Sequence, residues 1–132
     1  MKLITRDTDY AVRALAFIAK NKCKLATASE LVDKIKIPRP FLRKILQILT
    51  RHKILLSYKG VCGGFRLAKD PKKILITDLI DIFQGRLRFN ECFFRKELCP
   101  NRRTCFLKKK IDRIEGLVTK ELKSINIASL IK

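Results

Sequence analysis

The sequence predicts a mainly α fold that carries one small β-hairpin and ends in a long helix. Three observations lead there. Apolar residues recur at helical spacing through most of the chain; one stretch, residues 54–68, sets two strand-like runs around three glycines; and Pro38 and Pro40 fall together where one helix must end and the next begin. With 132 residues the chain has the size of one domain, and 47% hydrophobic residues with only 5 Gly and 4 Pro exclude a disordered basic tail.

Helix one places Tyr10, Ala14, Phe17 and Ile18 on one face, with Asp9, Arg13 and Lys20 off it. Thr27-Ala28-Ser29-Glu30 is a capping box, and Leu31, Val32 and Ile35 form the buried face of the short helix it opens. Pro38-Arg39-Pro40 then starts a third helix, because proline is tolerated in a first turn, where its missing amide has no partner to lose. Phe41, Leu42, Ile45, Leu46, Ile48 and Leu49 give that helix a wide apolar face. Arg39, Arg43 and Gln47 follow at i, i+4 and i+8 as one exposed stripe, with Lys44 and Arg51 beside it. Residues 54–58 and 65–68 read as strands around the tip Lys59-Gly60-Val61-Cys62-Gly63-Gly64. A fourth helix runs from a Thr77 cap and Asp78 through Leu79, Ile80 and Phe83 to a stop at Gly85. Periodicity is lost from Arg86 to Arg103. It returns with Leu107, Ile111, Ile114 and Val118, the narrow seam of a helix that pairs with another helix, widened by Leu117 and Leu122.

This order predicts a winged helix-turn-helix plus a long C-terminal dimerisation helix. The expected organisation is a DNA-binding domain over residues 1–85, a cysteine loop over 86–106, and the dimerisation helix with its tail over 107–132. Charge agrees. Lys and Arg number 31 against 12 Asp and Glu, a formal +19, and both halves of the chain share the excess. A folded surface of that sign implies a polyanionic partner. Arg39 and Arg43 can each donate two hydrogen bonds to a guanine edge and Gln47 can pair with adenine, whereas Lys44, Arg51, Lys59 and Arg66 suit phosphates. Pro40 and Gly60 belong to the same interface as the residues that shape the start of the helix and the wing turn. A charged stripe on an isolated helix is most often only its solvated face; the adjoining wing and the net charge favour double-stranded DNA here. The longest apolar run, Ala14 to Ala19, is far short of the roughly 20 residues of a membrane span, and the N-terminus lacks the pattern of a secretory signal, so a cytoplasmic protein is expected.

Five cysteines, an odd number, argue against a disulfide framework. Cys92, Cys99 and Cys105 are spaced C-x6-C-x5-C, and three soft thiolates on a loop suit an iron-sulfur cluster or a soft metal. Zinc fits less well, because the single histidine, His52, is distant and reads as the end of the third helix. Arg95, Lys96, Arg102 and Arg103 favour the thiolate form. Cys23 and Cys62 are isolated and read as small apolar residues. One histidine, no paired carboxylates and no phosphate-cradling loop leave nothing for acid-base or nucleophilic catalysis, so an enzyme is not expected.

The motifs together resemble the BadM/IscR/NsrR (Rrf-type) family of bacterial winged-helix regulators. The resemblance rests on Asp9-Tyr10-Ala11-Val12-Arg13-Ala14-Leu15, Pro40-Phe41-Leu42-Arg43-Lys44-Ile45-Leu46, the wing from Lys59 to Ala68, and the three-cysteine loop. It implies a homodimer joined through the long helix, an iron-sulfur cluster on Cys92, Cys99 and Cys105, and operator binding governed by that cluster. Lys108 stands where IscR-like members carry a ligating histidine, while Asp9 matches the carboxylate that NsrR-like members supply from the partner subunit. The resemblance therefore implies a 4Fe-4S cluster rather than a 2Fe-2S one. Arg43 replaces the glutamate of IscR-like recognition helices, so a different operator is expected. Two other readings are a cluster-free repressor of the same fold, controlled by a partner or a small molecule, and a basic RNA-associated protein.

Overall fold

A computed structural model describes residues 2–21, 25–89 and 104–131. Their elements, in order, are α1 (Arg6–Lys20), α2 (Ala28–Ile35), α3 (Arg39–Arg51), β1 (Leu55–Tyr58), β2 (Gly64–Leu67), α4 (Ile76–Gln84) and α5 (Phe106–Lys123), with single 3-10 turns at Pro71–Lys73 and Ala128–Leu130. The mainly helical fold with one small hairpin is the one the sequence predicts.

Helix α1 buries Ala11, Ala14, Leu15 and Ile18, and its small residues let it lie close against α3 and α4. The capping box of α2 is complete: Thr27 Oγ1 accepts from the Glu30 amide at 3.1 Å, and a Glu30 carboxylate oxygen accepts from the Thr27 amide at 3.2 Å. Helix α3 carries Pro40 in its first turn and buries Leu42, Ile45, Leu46 and Leu49. Its buried stripe is narrower than the sequence suggests. Phe41, expected on the apolar face, is 46% exposed, because the buried positions follow i, i+3, i+4, i+7 and Phe41 falls beyond their edge.

In the hairpin, Leu55 faces Leu67, Leu56 faces Arg66, Ser57 faces Phe65 and Tyr58 faces Gly64. Gly64 thus begins β2 instead of ending the tip. A Cβ there would stand 2.8 Å from the Ala26 carbonyl oxygen, so only glycine admits this approach. The approach is used: Phe65 and Ala26 exchange both backbone hydrogen bonds, at 2.8 and 3.0 Å, and pin the wing to the segment that enters α2.

Helix α4 begins at Ile76, so Thr77 lies inside it and is not its cap. The reason is Asp78, whose carboxylate reaches back to the Leu75 amide at 3.3 Å and fixes the first turn two residues earlier. Gly85, with φ +80°, ends the helix as expected.

The core gathers Leu15, Leu31, Leu42, Leu46, Leu49, Leu55, Ile74, Leu79 and Ile127. Ile76 and Ile80 of α4 meet Leu122 of α5 in a smaller cluster. Beyond α5 the chain turns back: the Ile76 amide donates to Ile125 O at 3.1 Å and the Ile127 amide to Ile74 O at 3.0 Å, leaving Ile127 fully buried. Nothing in the periodicity of α5 announces this return. Val118 packs against the same small cluster, whereas the outer face of α5 stands off the core, with Leu107 65%, Ile114 46% and Leu117 57% exposed.

Candidate nucleic-acid interface and cysteine segment

Helices α2 and α3 are joined by Lys36-Ile37-Pro38, and Ile37 anchors the joint in the core at 1% exposure. That anchor leaves the far side of α3 open. Arg39, Pro40, Arg43, Lys44, Gln47 and Arg51 are all exposed there, opposite the buried stripe. The Arg39 guanidinium donates to Ser29 Oγ at 3.1 Å, which ties the start of α3 to the first turn of α2. His52 caps the C-terminal end of α3, its amide donating to Ile48 O at 3.0 Å.

The wing follows directly from α3 and packs against it through β1. Its tip is residues 59–63: Gly60 has φ +110°, and a Cβ on Gly63 would collide with the Tyr58 carbonyl oxygen. Lys59, Gly60, Val61 and Cys62 are exposed. Arg66 lies across β1, donating to the Tyr58 hydroxyl at 2.8 Å with its guanidinium 5.4 Å from the ring centroid. Tyr58 was not singled out in the sequence, although it is the diagonal cross-strand neighbour of Arg66. Site residues from two elements therefore lie on the open face of α3 and on the adjoining hairpin, offering guanidinium, amide and ammonium donors with no competing carboxylate among the hydrogen bonds of the described residues.

Of the proposed cluster ligands, Cys92 and Cys99 lie outside the described residues, as does Cys23. Cys105 is half-buried at the N-cap of α5. Asp9 lies in the first turn of α1, 45% exposed and held by Arg13 at 3.1 Å. Among the described residues no group of three or more His, Cys, Asp or Glu side chains converges. Lys108, one turn into α5, is paired with Asp112 at 2.6 Å.

Gln84, at the end of α4, holds the start of α1, and no local signal marks it. Its Oε1 accepts from the Thr5 amide at 2.9 Å and from Thr8 Oγ1 at 2.8 Å, while its Nε2 donates to Leu3 O at 3.2 Å. The start of α1 is thereby fastened to the last residue of α4.

The family model Rrf2, described as an iron-dependent transcriptional regulator, matches residues 4–132. The chain belongs to the Rrf2 family. It is 34% identical over 132 residues to an HTH-type transcriptional regulator of Aquifex aeolicus, covering 98% of this chain and 92% of that one. It is also 32% identical over 131 residues to the HTH-type transcriptional regulator NsrR of Oceanobacillus iheyensis, covering 98% and 89%. Among solved structures, the global cysteine regulator CymR of B. subtilis superposes with a TM-score of 0.81 at 20% identity, over 99% of this chain and 97% of the other. IscR of T. potens superposes with a TM-score of 0.77 at 20% identity, over 99% and 86%. The chain is a transcription regulator of the Rrf2 family and not an enzyme, which makes DNA its partner. No helix among the described residues is long and apolar enough to cross a membrane.

Proposed function

We propose that this Rrf2 regulator is a cytoplasmic homodimeric repressor that reads duplex DNA with α3 and the wing, and whose operator affinity depends on a 4Fe-4S cluster held by Cys92, Cys99, Cys105 and the partner subunit's Asp9. The observation that carries the DNA reading is the open face of α3. Arg39, Arg43 and Gln47 form one row at major-groove reach, with Lys44 and Arg51 flanking it and Lys59, Gly60 and Arg66 on the adjoining wing. Arg43 and Gln47 specify bases; the lysines and Arg51 set register on the backbone.

The donor set fits a cluster of this type. Cys105 is a half-buried thiol at a helix N-terminus, and Asp9 is a half-exposed carboxylate. Lys108 does not substitute for a histidine ligand, since an ammonium offers donors only and no lone pair to a metal; it pairs with Asp112. When bound, the cluster supplies reactivity toward nitric oxide, oxidants or iron status. The chain's own residues then do the coupling. Asp9 must exchange Arg13 for the partner's cysteine segment, which links one subunit's α1 to the other's arm. Gln84 passes the position of α1 to α4, on which the cysteine segment follows. The exposed seam Leu107, Ile114 and Leu117 supports pairing of two α5 helices. Spacing between the two recognition helices sets operator fit, because half-sites lie about 34 Å apart.

A second reading is a cluster-free repressor, favoured by the Asp9–Arg13 pair and by the likeness to a regulator named for cysteine. One experiment separates the two. An operator selected from random duplex is titrated at one salt concentration with anaerobic protein of counted iron and sulfide, with the apo-protein, and with Asp9→Ala. The cluster reading expects bound iron and sulfide, different affinities for holo- and apo-protein, loss of both cluster and response in Cys99→Ala, and a cluster with weakened coupling to DNA in Asp9→Ala. Equal affinity of the holo- and apo-proteins refutes it.

A further inference from the structure

Two lysines occupy left-handed backbone, and they bracket α3. Lys36, with φ 57°, stops α2 ahead of the turn into α3; Lys53, with φ 60°, follows the end of α3. Among the described residues they are the only non-glycine positions with positive φ. Left-handed backbone crowds a Cβ against the following carbonyl, and helix stops of this kind are normally glycine or asparagine. Backbone groups alone make both stops: the Lys36 amide donates to Val32 O at 2.9 Å, and the Ile54 amide donates to Leu49 O at 3.0 Å across Lys53. Glycine would form either stop with less strain. Neither lysine side chain has a carboxylate or hydrogen-bond partner among the described residues, and both are exposed. Attraction to the negative end of the helix dipole does not account for them, because Lys34 and Arg51 already place a cation in the last turn of each helix. Two cations are thus kept at a conformational cost with no partner among the described residues.

We propose that Lys36 and Lys53 are phosphate clamps at the two ends of the recognition helix. The proposal rests on the placement of α3 in the major groove. Helix α3 has 13 residues and is therefore about 20 Å long, against a groove width of roughly 12 Å. Its ends reach the two phosphate lines that border the groove while Arg43 and Gln47 face the floor. An ammonium on a flexible stem suits a phosphate, where a point charge suffices, better than a base edge, where a planar fork discriminates. The two clamps hold the helix at a fixed depth and tilt. They act on every sequence alike.

The test measures affinity for operator and for random duplex across a salt series, together with the melting temperature, for Lys36→Gly, Lys53→Gly and an Arg43→Ala control. A dimer loses two phosphate contacts with each lysine substitution. The plot of log affinity against log salt should become shallower by about 1.8, at about 0.9 per phosphate, with affinity at 0.1 M falling roughly eightfold per contact. Operator and random duplex should lose equally, and the melting temperature should stay or rise. Stability and affinity thus move apart, which a merely structural lysine would not produce. An unchanged slope, or a loss confined to the operator, overturns the clamp. If a glycine variant melts early, Lys→Arg and Lys→Gln at the same positions decide: Arg must keep the slope and Gln must lower it, and the same slope for both overturns the proposal. Arg43→Ala guards the premise. If it leaves sequence preference intact, the placement of α3 is at fault; if it removes preference while the glycine variants keep the parent slope, the clamp alone fails.

Discussion

Gln84→Ala should destabilise the fold by about 2 kcal/mol, although Gln84 is only partly buried and lies at the end of its helix. Its Oε1 receives two donors, the Thr5 amide at 2.9 Å and Thr8 Oγ1 at 2.8 Å, and Thr8 is fully buried. Each net hydrogen bond is worth about 1 kcal/mol, and stranding a buried hydroxyl costs about 1–3 kcal/mol. Two circumstances hold the total near the lower end. Thr8 keeps a contact with Thr5 Oγ1 at 3.2 Å, and the half-buried Thr5 amide can recruit water. The bond from Nε2 to the exposed Leu3 carbonyl adds little. For a chain of this length the loss corresponds to roughly 6–10 °C in melting temperature. Thermal and urea unfolding of Gln84→Ala, Thr8→Val and the double variant form the assay. In the Thr8→Val background the hydroxyl no longer needs a partner, so Gln84→Ala should cost only about 1 kcal/mol and the cycle should show about 1 kcal/mol of coupling. Additivity of the two substitutions, or a loss below about 0.5 kcal/mol for Gln84→Ala alone, refutes the argument, because the buried Thr8 hydroxyl would then be satisfied without Gln84.

Arg43→Ala should cost about 1–3 kcal/mol on the operator and relax preference at one base pair per half-site, whereas Lys59→Ala should weaken all duplexes alike; competition binding with operator and random DNA distinguishes them. Ile127→Ala should lose about 2–5 kcal/mol in urea unfolding, since Ile127 is fully buried against the core although it lies beyond the last long helix. Ile114→Glu should yield a folded monomer in sedimentation, with operator affinity lost through broken dimer geometry and not through altered α3, because Ile114 faces outward on α5. Wild-type operator binding should fall with salt at a log-log slope of roughly −5 to −9, the signature of about 6–10 neutralised phosphates.

Local signals carried most of the fold. The Thr27–Glu30 capping box, the Pro40 start of α3, the glycine-bearing wing and the Gly85 stop are each decided within a few residues, so each was legible in the sequence. The same holds for the exposed row Arg39, Arg43 and Gln47, because helical periodicity alone separates it from Leu42, Ile45, Leu46 and Leu49. For the cysteine segment the sequence offers only a spacing, since Cys92 and Cys99 lie outside the described residues, while Cys105 stands at the N-cap of α5 and Asp9 is held by Arg13.

Tertiary structure decided what depends on residues distant in sequence. Phe41 is exposed because neighbouring helices cover only a four-residue stripe of α3, a width that no periodicity states. Gln84 meets Thr8 across 76 positions, and Ile127 closes the core beside Ile74; neither pair leaves a pattern in the chain between them. The left-handed backbone at Lys36 and Lys53 is likewise imposed from outside those residues. Lysine does not favour positive φ, but burial of Ile37 on one side and of Ile54 on the other requires each helix to stop and turn there. A sequence records the preferences of its residues, and packing selects the few places where those preferences are overruled.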